Sequence, residues 1–303
     1  MRMLRKCLNL FFVLCLTVGL IGLPTAAAHA QGESALTSPS GMLNPDGTLK
    51  LDGSFSGNLN LEGWNVALDP KHGPVFSPQA SSVTGGDWQA LGNGNGMVNS
   101  TVSAMAITVD GVYVGGSFGE INNTPGTQFL AKWTGTTWEG VGSGPYGGDS
   151  SLNAKVNALT LWGNNLYVGG DFTNVYDGVT PIPEADYVAL WDGSIWSALS
   201  SDGAGNGSLN AGVFALNVDE NYVYVGGSFT NVNNSGIVLN AADYIAQFNL
   251  NNGQWESIGS DNTGNGSLNN AVTAIDINDY GLYVGGAFFD VKNPGGTLAN
   301  ADY

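Results

Sequence analysis

The stretch Val112-Tyr113-Val114-Gly115-Gly116-Ser117-Phe118 comes back three times, as 166–172, 223–229 and 282–288. Corresponding tyrosines lie 54, 57 and 59 residues apart, a period too long for one turn and too short for one domain, so each copy is one supersecondary unit. Reading outward, each copy is preceded by an alternating run: Val102-Ser-Ala-Met-Ala-Ile, Val156-Asn-Ala-Leu-Thr-Leu, Val213-Phe-Ala-Leu-Asn-Val and Val272-Thr-Ala-Ile-Asp-Ile. Period-two patterning with β-branched residues predicts a strand. Short polar turns such as Val109-Asp110-Gly111 join it to the Tyr-Val-Gly-Gly strand, which makes the pair a hairpin. The glycine doublet removes side chains where another backbone passes closely or where a strand bends.

Downstream, across a variable loop, a third strand is predicted at Phe129-Leu-Ala-Lys-Trp133, Tyr187-Val-Ala-Leu-Trp191 and Tyr244-Ile-Ala-Gln-Phe248. A fourth follows at Trp138, Trp196 and Trp255. Four strands per repeat, with aromatics at matching places in strands three and four, predict an all-β fold made of β-propeller blades. The pattern resembles kelch-like propellers, more closely a set of bacterial secreted repeat proteins with Tyr-Val-Gly-Gly-x-Phe and Trp-x-x-Leu-Gly signatures, and is similar to fungal cortical polarity markers. The resemblance covers residues 83–303 and implies a scaffold without prescribing an activity.

The chain begins with a basic head, an apolar body from Leu8 to Leu23 and Ala28-His29-Ala30, which reads as a secretory signal peptide over residues 1–30. Its removal takes three basic residues and no acid, moving the formal charge from −17 to −20. It also takes both cysteines and every arginine, leaving five lysines and His72. A secreted or cell-surface chain results, with no membrane span after cleavage and no disulfide to brace it. So acidic a surface repels nucleic acid, and five scattered lysines make no basic patch.

Residues 31–48 read as a flexible leader and 49–96 as a degenerate opening unit, in which Trp88-Gln-Ala-Leu-Gly92 matches a closing fourth strand. Blades are predicted at 97–144, 152–204 and 209–263, with a partial one at 269–303. The last breaks off where earlier copies begin their third strand, which reads as an incomplete propeller.

Catalytic groups are scarce. No Cys-His pair or multi-histidine site exists after signal removal, and His72 sits in a Pro/Gly turn. The copper ligands of galactose oxidase and the arginine triad of sialidases, both propellers, have no counterparts here. Trp191-Asp192-Gly193-Ser194 is similar to the sialidase Asp-box but with its glycine displaced.

Three sets of residues remain as candidates. Asp171 and Asp276 stand where other copies carry neutral residues, and paired carboxylates serve glycosidases. Ala-Asp-Tyr recurs with Asp186-Tyr187, Asp243-Tyr244 and Asp302-Tyr303, a repeated rim that suits a glycan or protein partner and equally suits interblade packing. Asp202 with Asn206, and Asp261 with Asn265, place an acid and an amide four apart before glycine; that spacing resembles part of a calcium loop and also fits Asn-Gly turn chemistry. The leading expectation is a non-catalytic scaffold with no cofactor, binding a protein or glycan through its loops. The alternatives are a carbohydrate-active enzyme using channel carboxylates and a calcium-dependent adhesin.

Overall fold

Alternation becomes strand pairing throughout the computed structural model, which describes residues 39–44, 47–50, 59, 61, 64–69, 73–78, 98–145, 148–278, 280–298 and 301. The segment read as a signal peptide, His72, the expected closing strand at Trp88–Gly92 and the Asp302-Tyr303 pair lie outside the described residues. The chain divides into two units, residues 1–87 and 88–303.

In the first unit, β1 (Trp64–Asp69) and β2 (Gly73–Pro78) pair antiparallel. A 3-10 turn at Pro39–Met42 precedes them, and bridges tie Leu43 to Leu49 and Thr48 to Val75. Among the described residues of this unit, Phe76 is a buried hydrophobic side chain.

The second unit is built from successive antiparallel sheets in meander order, as the repeats predict. The first contains β3 (Val102–Thr108), β4 (Gly111–Gly116), β5 (Leu130–Trp133) and β6 (Trp138–Gly140). The next repeat supplies β7 (Val156–Trp162), β8 (Asn165–Gly170), a small hairpin of β9 (Val175–Asp177) and β10 (Thr180–Ile182), then β11 (Val188–Trp191) and β12 (Trp196–Ala198). The third supplies β13 (Val213–Val218), β14 (Tyr222–Gly227), the hairpin β15 (Val232–Asn234) and β16 (Ile237–Leu239), then β17 (Ile245–Asn249) and β18 (Gln254–Ser257). In the fourth, β19 (Val272–Asn278) pairs with β20 (Gly281–Gly286), and β21 (Val291–Asn293) with β22 (Gly296–Leu298). The described residues form no closed ring.

Strands three and four are locked by direct cross-strand aromatic pairs. Trp133 faces Trp138, Trp191 faces Trp196 and Phe248 faces Trp255, each with ring centroids 5.3 Å apart. Tilted pairs at this distance add about 0.5–1.5 kcal/mol beyond the area they bury.

The core lies between sheets. One cluster joins Tyr113 and Leu130 of the first repeat to Val156, Leu166 and Val168 of the second. Another joins Ala158 and Tyr167 of the second to Val213, Val223 and Val225 of the third. The two glycines of each doublet have separate jobs in this packing. A Cβ on Gly169 would sit 2.5 Å from Val213 Cγ1 and 3.1 Å from Leu216 Cδ1, so that glycine is the notch that receives the next sheet's first strand. Gly115 and Gly226 meet Val156 and Val272 in the same way. The second glycine faces its own sheet: a Cβ on Gly170 would overlap the Lys155 carbonyl, and one on Gly227 the Gly212 carbonyl. That close approach sits beside the bulge between the first and third residues of strand one, seen in all four repeats.

Gly169→Ala is therefore expected to cost about 1–3 kcal/mol, measured as a lowered denaturant midpoint, because a methyl is forced into a filled interface. Adding Val213→Ala vacates the same space, and the double variant is expected to show coupling of about 0.5–3 kcal/mol in the rescuing direction.

Candidate functional site

In the second and third repeats the predicted variable loop and the loop leading into the next repeat meet at one place, and carboxylates singled out above hold them together. Asp186 Oδ1 accepts from the Asn174 amide at 2.9 Å and its Oδ2 from the Gly207 amide at 3.3 Å. Asp243 repeats this with the amides of Asn231 at 2.9 Å and Gly266 at 3.1 Å. Each carboxylate thus clamps the loop after strand two to the loop that leads into the next repeat. Asn174 and Asn231 take positive φ values of 71° and 53°, which asparagine tolerates because its short side chain bonds locally.

The tyrosines beside these aspartates immediately precede strand three with φ near 64° for Tyr187 and 65° for Tyr244, as does Phe129 at 64°. Left-handed backbone is costly for a bulky residue, of order 1–3 kcal/mol. It is held by two main-chain bonds: Tyr187 N–H donates to the Phe172 carbonyl at 2.8 Å, and its carbonyl accepts from Gly170 at 2.9 Å. Tyr244 bonds Phe229 and Gly227 in the same way. The rings pack on the following repeat's core, Tyr187 against the Val213 cluster and Tyr244 against the Val272 cluster. Burial raises the Tyr187 phenol above its ordinary range, with the charges of Asp186 and Asp171 adding to it.

Asp202 and Asp261 close their own loops. Asp202 Oδ1 accepts from the amides of Ala204 at 2.7 Å and Asn206 at 3.0 Å, and Oδ2 from Asn206 Nδ2 at 3.1 Å. Asp261 Oδ1 accepts from Thr263 and Asn265 amides at 2.8 and 3.0 Å, while Oδ2 takes the Thr263 hydroxyl at 2.6 Å and Asn265 Nδ2 at 3.2 Å. In both loops the asparagine side chain offers its N–H to the carboxylate. Among the described residues, no group of three or more His, Cys, Asp or Glu is arranged to hold a metal.

These loops and clamps bound a polar cleft of about 440 Å³ where the second repeat hands over to the third. Its lining includes Asp202 and Asn206 of the joining loop, Asp186 and Tyr187 at the clamp, and Asn231 and Asn233 at the start of the β15–β16 hairpin, whose Asn233 and Ser235 amides bond the Ser208 and Ser201 carbonyls of that loop. At the next handover Asp290 and Lys292 occupy the positions of Asn231 and Asn233, so the two asparagines of the lining are not copied there.

Asp171 and Asp276 are not brought together. Asp171 follows the end of β8 in the second repeat, paired with Lys155 at 3.2 Å and accepting from Asn157 Nδ2 at 3.1 Å. Asp276 lies within β19 of the fourth repeat, accepting from Asn217 Nδ2 at 3.4 Å, and the whole third sheet stands between their own sheets. Asn157 also donates to the Val213 carbonyl at 3.0 Å, so these side chains stitch neighbouring sheets.

One recurring group escapes the motif reading. Asn99, Asn153, Asn210 and Asn269, each three residues before strand one, accept from the backbone N–H twenty residues ahead, on Gly119, Thr173, Thr230 and Phe289, at 2.9–3.0 Å. Their fixed spacing ahead of the valine in all four copies is the signal that reveals them.

No family model matches the chain, and no curated protein matches it. Among solved structures, the crystal structure of the computationally designed Ika4 protein aligns with a TM-score of 0.36 at 16% identity, covering 70% of this chain and 96% of that one. The crystal structure of the designed Ika8 protein aligns with a TM-score of 0.23 at 15% identity, covering 70% and 89%. No helix among the described residues is long and apolar enough to cross a membrane.

The amides and the hydroxyl around Asp202 and Asp261 hold both carboxyls below the usual range, led for Asp202 by the Asn206 N–H and for Asp261 by the Thr263 side chain. A depressed folded value contributes stability above the unfolded value of about 3.9 and loses it as pH falls through the folded one. Hydrogen-exchange protection at Asn206 and Asn265 is therefore expected to hold at neutral and mildly acid pH and to collapse only below the ordinary carboxylate range. Asp261→Ala is expected to remove protection from Asn265 already at neutral pH.

Proposed function

We propose that this chain is a secreted, non-catalytic scaffold of β-propeller type that binds a glycan in the cleft between its second and third repeats. What carries the reading is the pre-organisation of that cleft. Asp202 and Asn206 are fixed to each other by two side-chain hydrogen bonds and one main-chain bond, Asp202 half-exposed and Asn206 exposed, and they line the cleft together with Asp186 and Tyr187. Groups already held in place lose little freedom on binding, which is where affinity for a hydroxyl-rich ligand is gained. Sequential sheets packed through glycine notches support the propeller assignment, because stacked blades bury one another's faces in that manner. The signal-like first 30 residues and the acidic, cysteine-free remainder support export.

The enzymatic alternative asks for two carboxylates flanking one bond. Asp171 is engaged by a lysine and an amide, and Asp276 belongs to a sheet two repeats away, so the observations favour binding. The calcium alternative asks for converging oxygens, whereas Asn206 and Asn265 turn N–H groups inward.

Affinity electrophoresis against a panel of polysaccharides tests this. The expected outcome is retardation by at least one polymer without release of reducing ends, weakened at least tenfold by Asn206→Ala with Asn233→Ala, which is about 1.4 kcal/mol or more. Turnover that disappears in Asp171→Asn would move the chain to the enzyme class. Dependence of binding and of the melting midpoint on added calcium would favour the adhesin.

A further inference from the structure

Asn206-Gly207 and Asn265-Gly266 close the loops that lead into the third and fourth repeats, and Asn-Gly is a chemically labile pair, prone to cyclise. In that reaction the glycine nitrogen gives up its proton and bonds to the asparagine carboxamide carbon, and ammonia leaves. Water then opens the succinimide ring at either carbonyl, giving aspartate or isoaspartate. One water is consumed, one ammonia is released and nothing is oxidised. Glycine favours the attack because no Cβ shields its nitrogen.

The fold obliges the pair to stay. A Cβ on Gly207 would lie 2.8 Å from Asp186 Cβ and 3.0 Å from the Glu184 carbonyl oxygen, and one on Gly266 3.0 Å from Asp243 Cβ and 3.2 Å from the Ala241 carbonyl oxygen. A side chain at either place therefore needs its neighbours to move. The asparagines are required by their bonds to Asp202 and Asp261. Both reacting groups are nevertheless engaged. The buried glycine's N–H is held by Asp186 Oδ2 at 3.3 Å in one loop and by Asp243 Oδ2 at 3.1 Å in the other. The carboxamide Nδ2 is held by Asp202 Oδ2 at 3.1 Å and by Asp261 Oδ2 at 3.2 Å respectively. A deprotonated glycine nitrogen would lose its charge-assisted bond and face a like charge instead. In the first repeat Gln128 stands at the clamp position and Asp149-Ser150 at the loop position, so where the guarding carboxylate is missing the labile pair is missing too.

We propose that Asn206 and Asn265 are latent self-modification sites, kept as carboxamides by the Asp186 and Asp243 clamps, each clamp guarding the asparagine of its own loop. Reaction replaces an N–H donor by a second carboxylate facing Asp202 or Asp261, and the isoaspartyl product also adds a methylene to the backbone. Like charges then meet where a hydrogen bond closed the loop, and the loop opens. Because Asp202 and Asn206 line the cleft, its wall changes with them. The chemistry needs only water, and the inference stands whatever the cleft binds.

Incubation of the full chain at mildly alkaline pH tests it, with deamidation at each asparagine followed by peptide mass spectrometry and isoaspartate by enzymatic methylation. Asn206 and Asn265 are expected to react at least about tenfold more slowly in the folded chain than in guanidinium, about 1.4 kcal/mol of barrier. Asp186→Ala is expected to raise the rate at least about tenfold at Asn206 alone, and Asp243→Ala at Asn265 alone. Asn252-Gly253, in the turn between β17 and β18, is the internal reference, since the Gly253 N–H bonds the Asn249 carbonyl at 2.9 Å rather than a carboxylate. A wild-type rate at Asn206 equal to the denatured rate overturns the proposal, as does one that Asp186→Ala leaves unchanged. An equal rise at all three sites in a folded variant also overturns it, because general loosening would then be the cause. Asp186→Asn, which keeps the shape and one acceptor without the charge, is read by the same criteria if circular dichroism shows the alanine variant unfolded. Asn206→Asp supplies the product charge directly: it is expected to lose hydrogen-exchange protection at Ala204 while Thr263 in the other loop keeps it, and full protection at both would overturn the opening of the loop.

Discussion

The second unit depends on one steric fit, a β-branched side chain entering a gap where a neighbouring strand has no Cβ. Valine supplies a stiff, compact projection with one strongly favoured rotamer, and glycine supplies room only because the backbone around it is fixed. The filled notch sets how far apart the sheets stand and which residues face each other, and through that it lines up Asn157 with the Val213 carbonyl and Asn217 with Asp276.

With sheet spacing set in this way, the loops between repeats become positioned elements. The Asp186 and Asp243 clamps and the Asn99, Asn153, Asn210 and Asn269 acceptors tie loop backbone to strand ends, so loop N–H groups that would otherwise need water are bonded internally. The rim aspartates thus serve the scaffold first and bound the cleft second. The left-handed tyrosines follow the same logic: strain at Tyr187 and Tyr244 is tolerated because main-chain bonds on both sides, and a partly buried ring, over-determine the conformation.

The strands were legible in the sequence because their patterning and the glycine doublet repeat. Val102–Ile107 and Val112–Gly116 match β3 and β4 to within a residue, and the paired aromatics of strands three and four fall in direct register. The hairpins β9–β10, β15–β16 and β21–β22 were not legible, because three-residue strands offer too few positions for alternation to show, even though turns such as Asp177-Gly178 and Ser235-Gly236 mark them. The first repeat lacks that hairpin and keeps only an Ile121 to Thr124 bridge, which is the main reason its period is 54 rather than 57 residues. The step to 59 comes from the longer turn at Asn249–Gly253 between β17 and β18. The cleft was legible only as scattered candidates, since its walls come from segments up to about fifty residues apart that the clamps draw together.

A genetic consequence follows from the handedness of the notch. Since each repeat's main sheet carries a glycine gap on one side and a valine on the other, duplicating or deleting one whole unit in frame still sets a valine into a glycine gap at each remaining junction. Changes in copy number by unequal recombination therefore keep the principal steric fit, whereas a shift of even one residue within strand two would move the gap to the other face of the sheet.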